Sequence, residues 1–483
     1  MKMSSAERAH MMLNAPVSRI IPRLAIPTII SMLITTIYNA ADTFFVSQLG
    51  TAASGAMNVV FPVMGLIQAV AFTIGMGSGA QVSQALGAGE RDKAQTLCTV
   101  GFFTAMFVGI AVLILGNVFL EPVVGMLGAT PANAEHARAY ASYIFYGAPF
   151  IMCSFVMNNH LRFQGLATYG MVGITTGGIL NMLLDPFFIY EPGQVLFGVI
   201  TLPFGLGLKT AGAAIATAIS QAISFTILLL QCNLRKDTLT IRPRYFRPTA
   251  KMYGKILYVG FPSLGRQGIA SVAGILLNHT VLAFVAPALQ DAAQSALSIG
   301  NRFVMFINSS VIGFGQGFQP VCGFNYGAKQ YGRVRQAFWF SVKVTTIILL
   351  VLSGIAFVFA QPIVTAFRDD PEVVRIGTTA LRLHLSTMPL WGFIVMGNMY
   401  TQSIGYGTRA TLLSISRQGL FLIPALLVLP RILTLSEPNM PFAIAAAQPV
   451  SDVLSMVLAI VIVSSILRQF RLKELEAPEE AKA

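Results

Sequence analysis

Three polar side chains sit where an apolar chain can least tolerate them. Asn181 and Asp185 fall in the apolar run 178–190, four residues apart. That spacing is about one helical turn, so an amide and a carboxylate share a face. Gly178 lies on the same stripe and leaves room for a neighbouring helix. Asp42 sits in a second apolar run, with Tyr38 and Asn39 four and three residues before it on its own side of a helix. A carboxylate inside a membrane helix costs roughly 2.5–3.5 kcal/mol on insertion scales, which marks a functional position. The alternative is a carboxylate at a helix end that snorkels to the interface. The Pro-Phe-Phe-Ile-Tyr that follows Asp185 keeps the chain apolar and weighs against it. Two carboxylates brought together do not both stay ionised unless a cation joins them or a proton neutralises one. Asp42, Asp185, Asn181 and Tyr38 are therefore expected to converge in a wet cavity that takes a proton or Na⁺. Na⁺ would want carboxylate, amide and hydroxyl oxygens. Asp42, Asn181 and Asp185 would then be its ligands, with a hydroxyl such as that of Thr217.

The composition says what must hold these residues. The chain has 483 residues, 55% hydrophobic and 11% charged, with a mean hydropathy of +0.69. Soluble domains run at about 25% charged, so a polytopic, all-helical membrane protein is expected. A net charge of +13 would suggest nucleic acid in a soluble protein. Here the basic residues cluster in short loops, as the positive-inside rule produces, and no nucleic-acid partner is expected. Cys98, Cys153, Cys232 and Cys322 are scattered without metal spacing and read as buried, inert thiols. The motifs HExxH and GxSxG are missing, and no clustered metal ligands appear. The reading is therefore not an enzyme, and no cofactor is expected beyond the coupling ion.

Apolar runs of about 20 residues predict twelve spans near 24–48, 55–85, 97–119, 138–162, 168–190, 210–232, 256–284, 292–322, 339–361, 378–402, 410–433 and 444–467. The second and eighth exceed what a bilayer requires, which implies tilt or extension beyond it. Loops after even-numbered spans carry Arg91 and Lys93, Arg162, Arg235 to Lys251, Lys329 to Arg335, and Arg409; the tail carries Arg468, Arg471 and Lys473. The other loops are poorer in Lys and Arg, which places both termini in the cytoplasm. The resulting division is a cytoplasmic N-terminus, 1–23, without the apolar core of a cleaved leader. An N-lobe of six spans, 24–232, a basic cytoplasmic linker, 233–255, a C-lobe of six spans, 256–467, and a cytoplasmic tail, 468–483, follow.

The halves are repeats. With a shift of 238, Gly75, Gly77, Gly79, Gln81, Gly89 and Arg91 answer to Gly313, Gly315, Gly317, Gln319, Gly327 and Lys329; with a shift of 240, Pro122, Pro131, Pro149, Asn158, Gly165 and Thr168 answer to Pro362, Pro371, Pro389, Asn398, Gly405 and Thr408. A six-span unit repeated in the same orientation is the parallel repeat of alternating-access transporters. Gly75-x-Gly77-x-Gly79 has no preceding strand, so a dinucleotide loop is a poor reading; helix contacts at small residues explain it better. The acidic residues break the symmetry: Asn181 and Asp185 shifted by 240 land on Phe421 and Ala425. Asn158 and Asn398 read as interhelical hydrogen bonds or substrate contacts. Arg266 either snorkels or pairs with a carboxylate across the halves, and Asp452 is a candidate partner for such an arginine, with Arg417 of similar character. Part of the Met and Phe content, 21 and 34 residues, would line an adaptable apolar cavity.

The sequence resembles the multidrug and toxic compound extrusion (MATE) family. The likeness rests on Ala41-Asp42-Thr-Phe-Phe-Val-Ser-Gln-Leu-Gly50, Gly75 to Gly89, Leu161-Arg162-Phe163-Gln164-Gly165, Asn181 to Pro186, and Gly212 to Thr217, and it covers residues 20–467. The resemblance implies two six-helix bundles with a V-shaped opening, exporting amphipathic organic cations in exchange for a proton or Na⁺, as a monomer in a bacterial inner membrane. It places Asp42, Asn181 and Asp185 at the family's N-lobe cation-binding positions. The NorM-type branch also has acidic residues in its C-lobe, where this chain has Arg266-Gln267 and Gly315-Gln316. It therefore resembles the DinF/MepA-like branch. Some members of the wider superfamily flip lipid-linked sugars. That alternative would need Arg266, Arg302 and Arg417 to point into the central cavity.

Overall fold

The computed structural model describes residues 4–196, 200–235, 237–433 and 439–476. Lys236 and the stretch 477–483, which fall in the linker and tail assignments, lie outside them. The chain is helical almost throughout. A short helix α1 (Ser5–Asn14) precedes α2 (Val17–Ser47), α3 (Thr51–Gly87) and α4 (Arg91–Val118). Then come α5 (Leu120–Met126), α6 (Ala134–Phe163), α7 (Ala167–Ile189), a two-stranded hairpin β1–β2 (Val195–Leu196, Ile200–Thr201) and α8 (Lys209–Leu234). The second half has α9 (Ala250–Phe284), α10 (Pro287–Gly327), α11 (Tyr331–Val358), α12 (Ala360–Phe367), α13 (Pro371–Thr387) and α14 (Trp391–Ser403). It closes with α15 (Gly407–Ile415), α16 (Leu422–Ile432), α17 (Met440–Ala445) and α18 (Ala447–Glu476).

Among the described residues, 10 helical segments are long and apolar enough to cross a membrane. Two more segments of spanning length bring the total to twelve. One is α10, made more polar by Gln290, Asp291, Gln294, Asn301 and Arg302; the other is the interrupted pair α13–α14. The expectation that the second and eighth spans overshoot a bilayer holds: α3 has 37 residues and α10 has 41, or roughly 55–60 Å of helix against about 30 Å of hydrocarbon.

By packing, Met1–Met11 with Ile26–Gly260 form one unit, and Met12–Ala25 with Phe261–Ala483 form another. The expected division in the loop 233–255 thus falls instead within α9, and the first turns of α2 go with the second unit. The reason is close backbone approach and a few hydrogen bonds. In the first unit a Cβ on Gly77 would collide with the Ile256 carbonyl, and one on Gly260 with the Thr73 carbonyl, so the start of α9 is held tightly to α3. In the second unit a Cβ on Gly317 would collide with Ala25. There the Asn325 amide donates to the Met12 carbonyl at 3.1 Å and Arg333 donates to the Ala15 carbonyl at 2.7 Å.

Replacing Gly77 with Leu is expected to cost at least about 1–3 kcal/mol, because an overpacked contact against a carbonyl cannot relax by a rotamer change. Gly65 has open space within 4 Å and makes the control. Fluorescence-detected size exclusion should show lost folded protein for Gly77→Leu and a normal peak for Gly65→Leu.

The repeat register needs one correction. The helices α4 and α11 start at Arg91 and Tyr331, and they end at Val118 and Val358, 240 residues apart at both ends. Gly75 packs on Val156 and Asn159, and Gly315 packs on Met396 and Met399, again 240 apart. Gly75 and Gly77 therefore answer to Gly315 and Gly317, not to Gly313 and Gly315, and Gln81 and Gln319 are not counterparts. A Gly-x-Gly-x-Gly pattern matches itself when slid by two, so the sequence alone favoured the wrong register there. Lys329, with φ of 60°, takes the left-handed position that Gly89, with φ of 79°, holds in the first half; glycine adopts it without strain and lysine does not.

In the first unit α6 is the central helix, with α3, α4, α7 and α8 around it. It runs unbroken through Pro149. At the equivalent Pro389 the chain tightens to a 3₁₀ turn, Met388–Leu390, separating α13 from α14. Between α15 and α16 the turn Ser416–Phe421 is π-helical, a rare widening that recurs at functional positions.

Candidate functional site

The site is assembled by α2, α7, α6 and α8 of the first unit. Gly178 allows α2 to approach α7: a Cβ there would lie 2.9 Å from the Ile34 side chain and 3.0 Å from the Tyr38 ring. This is the close approach its place on the polar stripe implied. It brings Tyr38 and Asp42 of α2 beside the helix bearing Asn181 and Asp185. All four are buried, with Asp185 fully so. The charge of Asp42 acts on Asp185 and on Tyr38, and both carboxylates act on Tyr140.

Each carboxylate has one partnered and one unpartnered oxygen. The Tyr140 hydroxyl of α6 donates to Asp42 Oδ2 at 2.9 Å, while Asp42 Oδ1 has no partner. The Asn181 amide donates to Asp185 Oδ1 at 3.1 Å and to Thr217 Oγ1 of α8 at 3.2 Å, while Asp185 Oδ2 and Asn181 Oδ1 have none. One turn on from Thr217, Ser220 Oγ and Gln221 Oε1 are also buried without partners. The cluster thus collects buried oxygens that can accept, and among the described residues no ion pair reaches Asp42 or Asp185. Buried polar groups left unpaired are costly, so the arrangement suits a small cation or a proton. Among the described residues no group of three or more His, Cys, Asp and Glu side chains gathers. With two carboxylates and an amide, the donor set is that of a hard, weakly held ion and not of a transition metal.

The other expected residues separate. Thr217 joins the cluster. Asn39 is half-buried on α2 and makes no side-chain hydrogen bond to it. Asn158 packs against Gly170 near the start of α7, about 22 Å along that helix from Asp185 at 1.5 Å per residue, so it lies away from the acidic pair. Its repeat mate Asn398 bridges helices, donating to the Ala410 carbonyl at 2.8 Å and to Ser414 at 2.6 Å. Asp452 has its ion pair within the second unit, with Arg417 at 2.6 Å. Arg266 makes no ion pair among the described residues. The pairing of Asp452 with Arg266 therefore gives way to one with Arg417, because the π turn at 416–421 and the stacking of Arg417 on Trp391 (3.5 Å to the ring centre) set that arginine against α18. The four cysteines are free and buried.

Tyr140 was not singled out in the sequence. It is one of three tyrosines, with Tyr143 and Tyr146, spaced by three on an apolar run, and only the burial of Tyr140 against 39% and 51% exposure of the other two distinguishes it. The symmetry breaking extends to Tyr140. At the 240-residue offset Tyr140, Asn181 and Asp185 correspond to Ala380, Phe421 and Ala425.

Fold and site together define a multi-pass membrane protein made of two six-span repeats, with a buried cluster of carboxylate and amide oxygens in the first repeat. The chain belongs to the MatE family, whose model matches residues 27–187 and 268–427. It is 24% identical over 406 residues to a multidrug export protein MepA of Staphylococcus saprophyticus, covering 84% of this chain and 85% of that one. It is 26% identical over 366 residues to an FAD transporter of Shewanella oneidensis, covering 76% and 78%. Among solved structures, a MOP superfamily transporter from Pyrococcus furiosus superposes with a TM-score of 0.84 at 25% identity, over 95% of this chain and 98% of that one.

Proposed function

We propose that the chain is a secondary-active antiporter that exports amphipathic organic cations, with a proton or Na⁺ bound at Asp42, Asp185 and Asn181 as the coupling ion. The observation that carries this reading is the set of buried, unpartnered acceptor oxygens, Asp42 Oδ1, Asp185 Oδ2 and Asn181 Oδ1, with no ion pair to either carboxylate among the described residues. Empty of the ion, the pocket carries negative charge and attracts an organic cation. Filled, it carries one negative charge fewer, and the organic cation loses that counter-charge. Loading from the side rich in the coupling ion therefore releases the substrate there. The drug-export relative MepA supports the substrate class. The relatives named above are a drug exporter and an FAD transporter and not lipid flippases, so the flippase alternative is not favoured. The basic loops and tail support an inner-membrane protein with both termini in the cytoplasm, and we infer a monomer with no cofactor other than the ion.

Everted membrane vesicles test this. Accumulation of ethidium, which is the direction of export, should be driven by an acid-inside gradient or by a Na⁺-inside gradient, and the effective gradient names the ion. No accumulation with either gradient, in protein shown to be folded and inserted, would overturn the antiport reading.

A further inference from the structure

The helices α7 and α8 of the first unit meet along one line, which their contacts trace turn by turn. At its start the Asn181 amide donates to Thr217 Oγ1 at 3.2 Å. One turn down α7, a Cβ on Gly177 would lie 2.9 Å from the Ser224 side chain and 3.2 Å from the Ser220 carbonyl. The Ser224 hydroxyl donates to the Gly173 carbonyl at 3.0 Å, and a Cβ on Gly173 would collide with the Leu228 side chain. The α8 side of the line is the stripe Thr217, Ser220, Gln221, Ser224, Leu228 and Gln231, spaced by three and four. Between Ala211 and Cys232 the one other polar side chain outside this stripe is Thr226, which is exposed and donates back to the Ala222 carbonyl of its own helix. The polar residues of α8 are thus gathered on the face that lipid does not touch. Three of their atoms, Ser220 Oγ, Gln221 Oε1 and Gln231 Oε1, are buried without a hydrogen-bond partner. Helix contact alone would be served by alanine, as at the buried Ala213, Ala214 and Ala216; buried polar atoms left over from the protein's own bonds serve water or a ligand. The single apolar member is Leu228. It is fully buried, roughly 16 Å along α8 from Thr217, with polar residues on the stripe both before and after it.

We propose that this line is the route by which the coupling ion passes between the acidic cluster and the cytoplasm, and that Leu228 is its gate. Thr217, Ser220, Gln221 and Ser224 offer oxygens at intervals of one turn or less, so an ion leaving Asp185 and Asn181 meets a new partner at each step. Beyond them, α8 ends at Leu234 and leads into the basic linker. In this structure the line is closed by Leu228 on Gly173 and by the hydrogen bond of Ser224 to the Gly173 carbonyl. An apolar constriction bars ions by excluding water, and one leucine against one glycine is opened by a slight parting of α7 from α8. Antiport needs such a barrier, since an ion that crossed without exchange would dissipate its own gradient. The gate rests on the antiport reading for its ion, and flux measured without an organic cation tests it separately.

The test is ion flux into proteoliposomes of the full chain with no organic cation present, read with an internal pH dye for protons and with radioactive Na⁺. Wild type should be tight. Leu228→Ser, which carries the oxygens across the break, should admit the coupling ion severalfold faster, while Leu228→Met, which keeps an apolar plug, should stay tight. Adding Asp185→Asn to Leu228→Ser should abolish the flux, because the ion enters the line from the acidic cluster; a bundle merely loosened by the substitution would leak regardless. In everted vesicles, Ser220→Ala combined with Gln221→Leu should slow gradient-driven accumulation of ethidium severalfold. A tight Leu228→Ser protein, shown by thermal melting to be folded, or a leak that survives Asp185→Asn, would overturn the gate. Wild type that carries no ethidium, together with a leak through Leu228→Ser that needs Asp185, would remove the antiport reading and keep the gate. Ethidium transport in wild type with a tight Leu228→Ser would do the reverse.

Discussion

Asp42→Asn is expected to reduce gradient-driven accumulation of ethidium to the level of vesicles without the protein, while the protein stays folded. The asparagine keeps the size of the side chain, and its carbonyl oxygen can still accept from the Tyr140 hydroxyl, which now sits 2.9 Å from Asp42 Oδ2. What it removes is the charge. An amide takes up no proton near neutral pH and offers a cation one weak ligand in place of an ionised one, so loading and unloading no longer change the charge of the pocket. Asp185→Asn should act in the same direction through the other half of the pair. Normal transport in Asp42→Asn would remove that residue from the coupling site. Normal transport in Asp185→Asn alone would leave Asp42 as the sole switch. In both, a thermal melt within a few degrees of wild type is the control, since each carboxylate is now buried with an unpartnered oxygen and neutralising it relieves a cost.

The second large effect concerns stability. In Asp452→Ala, Arg417 keeps its place under the π turn and loses its carboxylate, at a site where Asp452 is fully buried and the Arg417 side chain only 15% exposed. Breaking a buried ion pair from one side costs about 3–5 kcal/mol. Gln448 and Thr387 lose their acceptor in the same step. The double substitution Asp452→Leu with Arg417→Leu should recover most of that loss, because replacing both partners with apolar side chains leaves no charge unpaired. Melting temperatures of the single and double variants, measured in the same lipid, give the coupling between the two residues. Equal destabilisation in the single and the double variant would show that the pair contributes by packing and not by charge.

The apolar runs, the six-span repeat and the family likeness were legible because each is a local or a one-dimensional signal. Span lengths follow from hydrocarbon thickness. The sharing of a face by Asn181 and Asp185 follows from helical period. The singularity of the acidic pair follows from comparing one half of the chain with the other. The register of the repeat was legible only in part. Around Gly75, Gly77 and Gly79 the pattern matched better at 238 than at 240, and the contacts of Gly75 and Gly315 were needed to choose.

The sequence by itself determined that this is a twelve-span protein of two like halves, and that Asp42, Asn181 and Asp185 are out of place in hydrocarbon unless they bind something. Only the tertiary structure decided who their partners are. Tyr140 and Thr217 lie 98 and 36 residues along the chain from the side chains they meet. Arg417 and Asp452 are 35 residues apart, and the start of α9 belongs to the unit that precedes it. Those pairings are set by which small residues let two helices approach closely, Gly178 against the Tyr38 ring and Gly260 against the Thr73 carbonyl. Whether a glycine is a contact or merely a glycine depends on the helix opposite, which helical period and hydropathy do not encode.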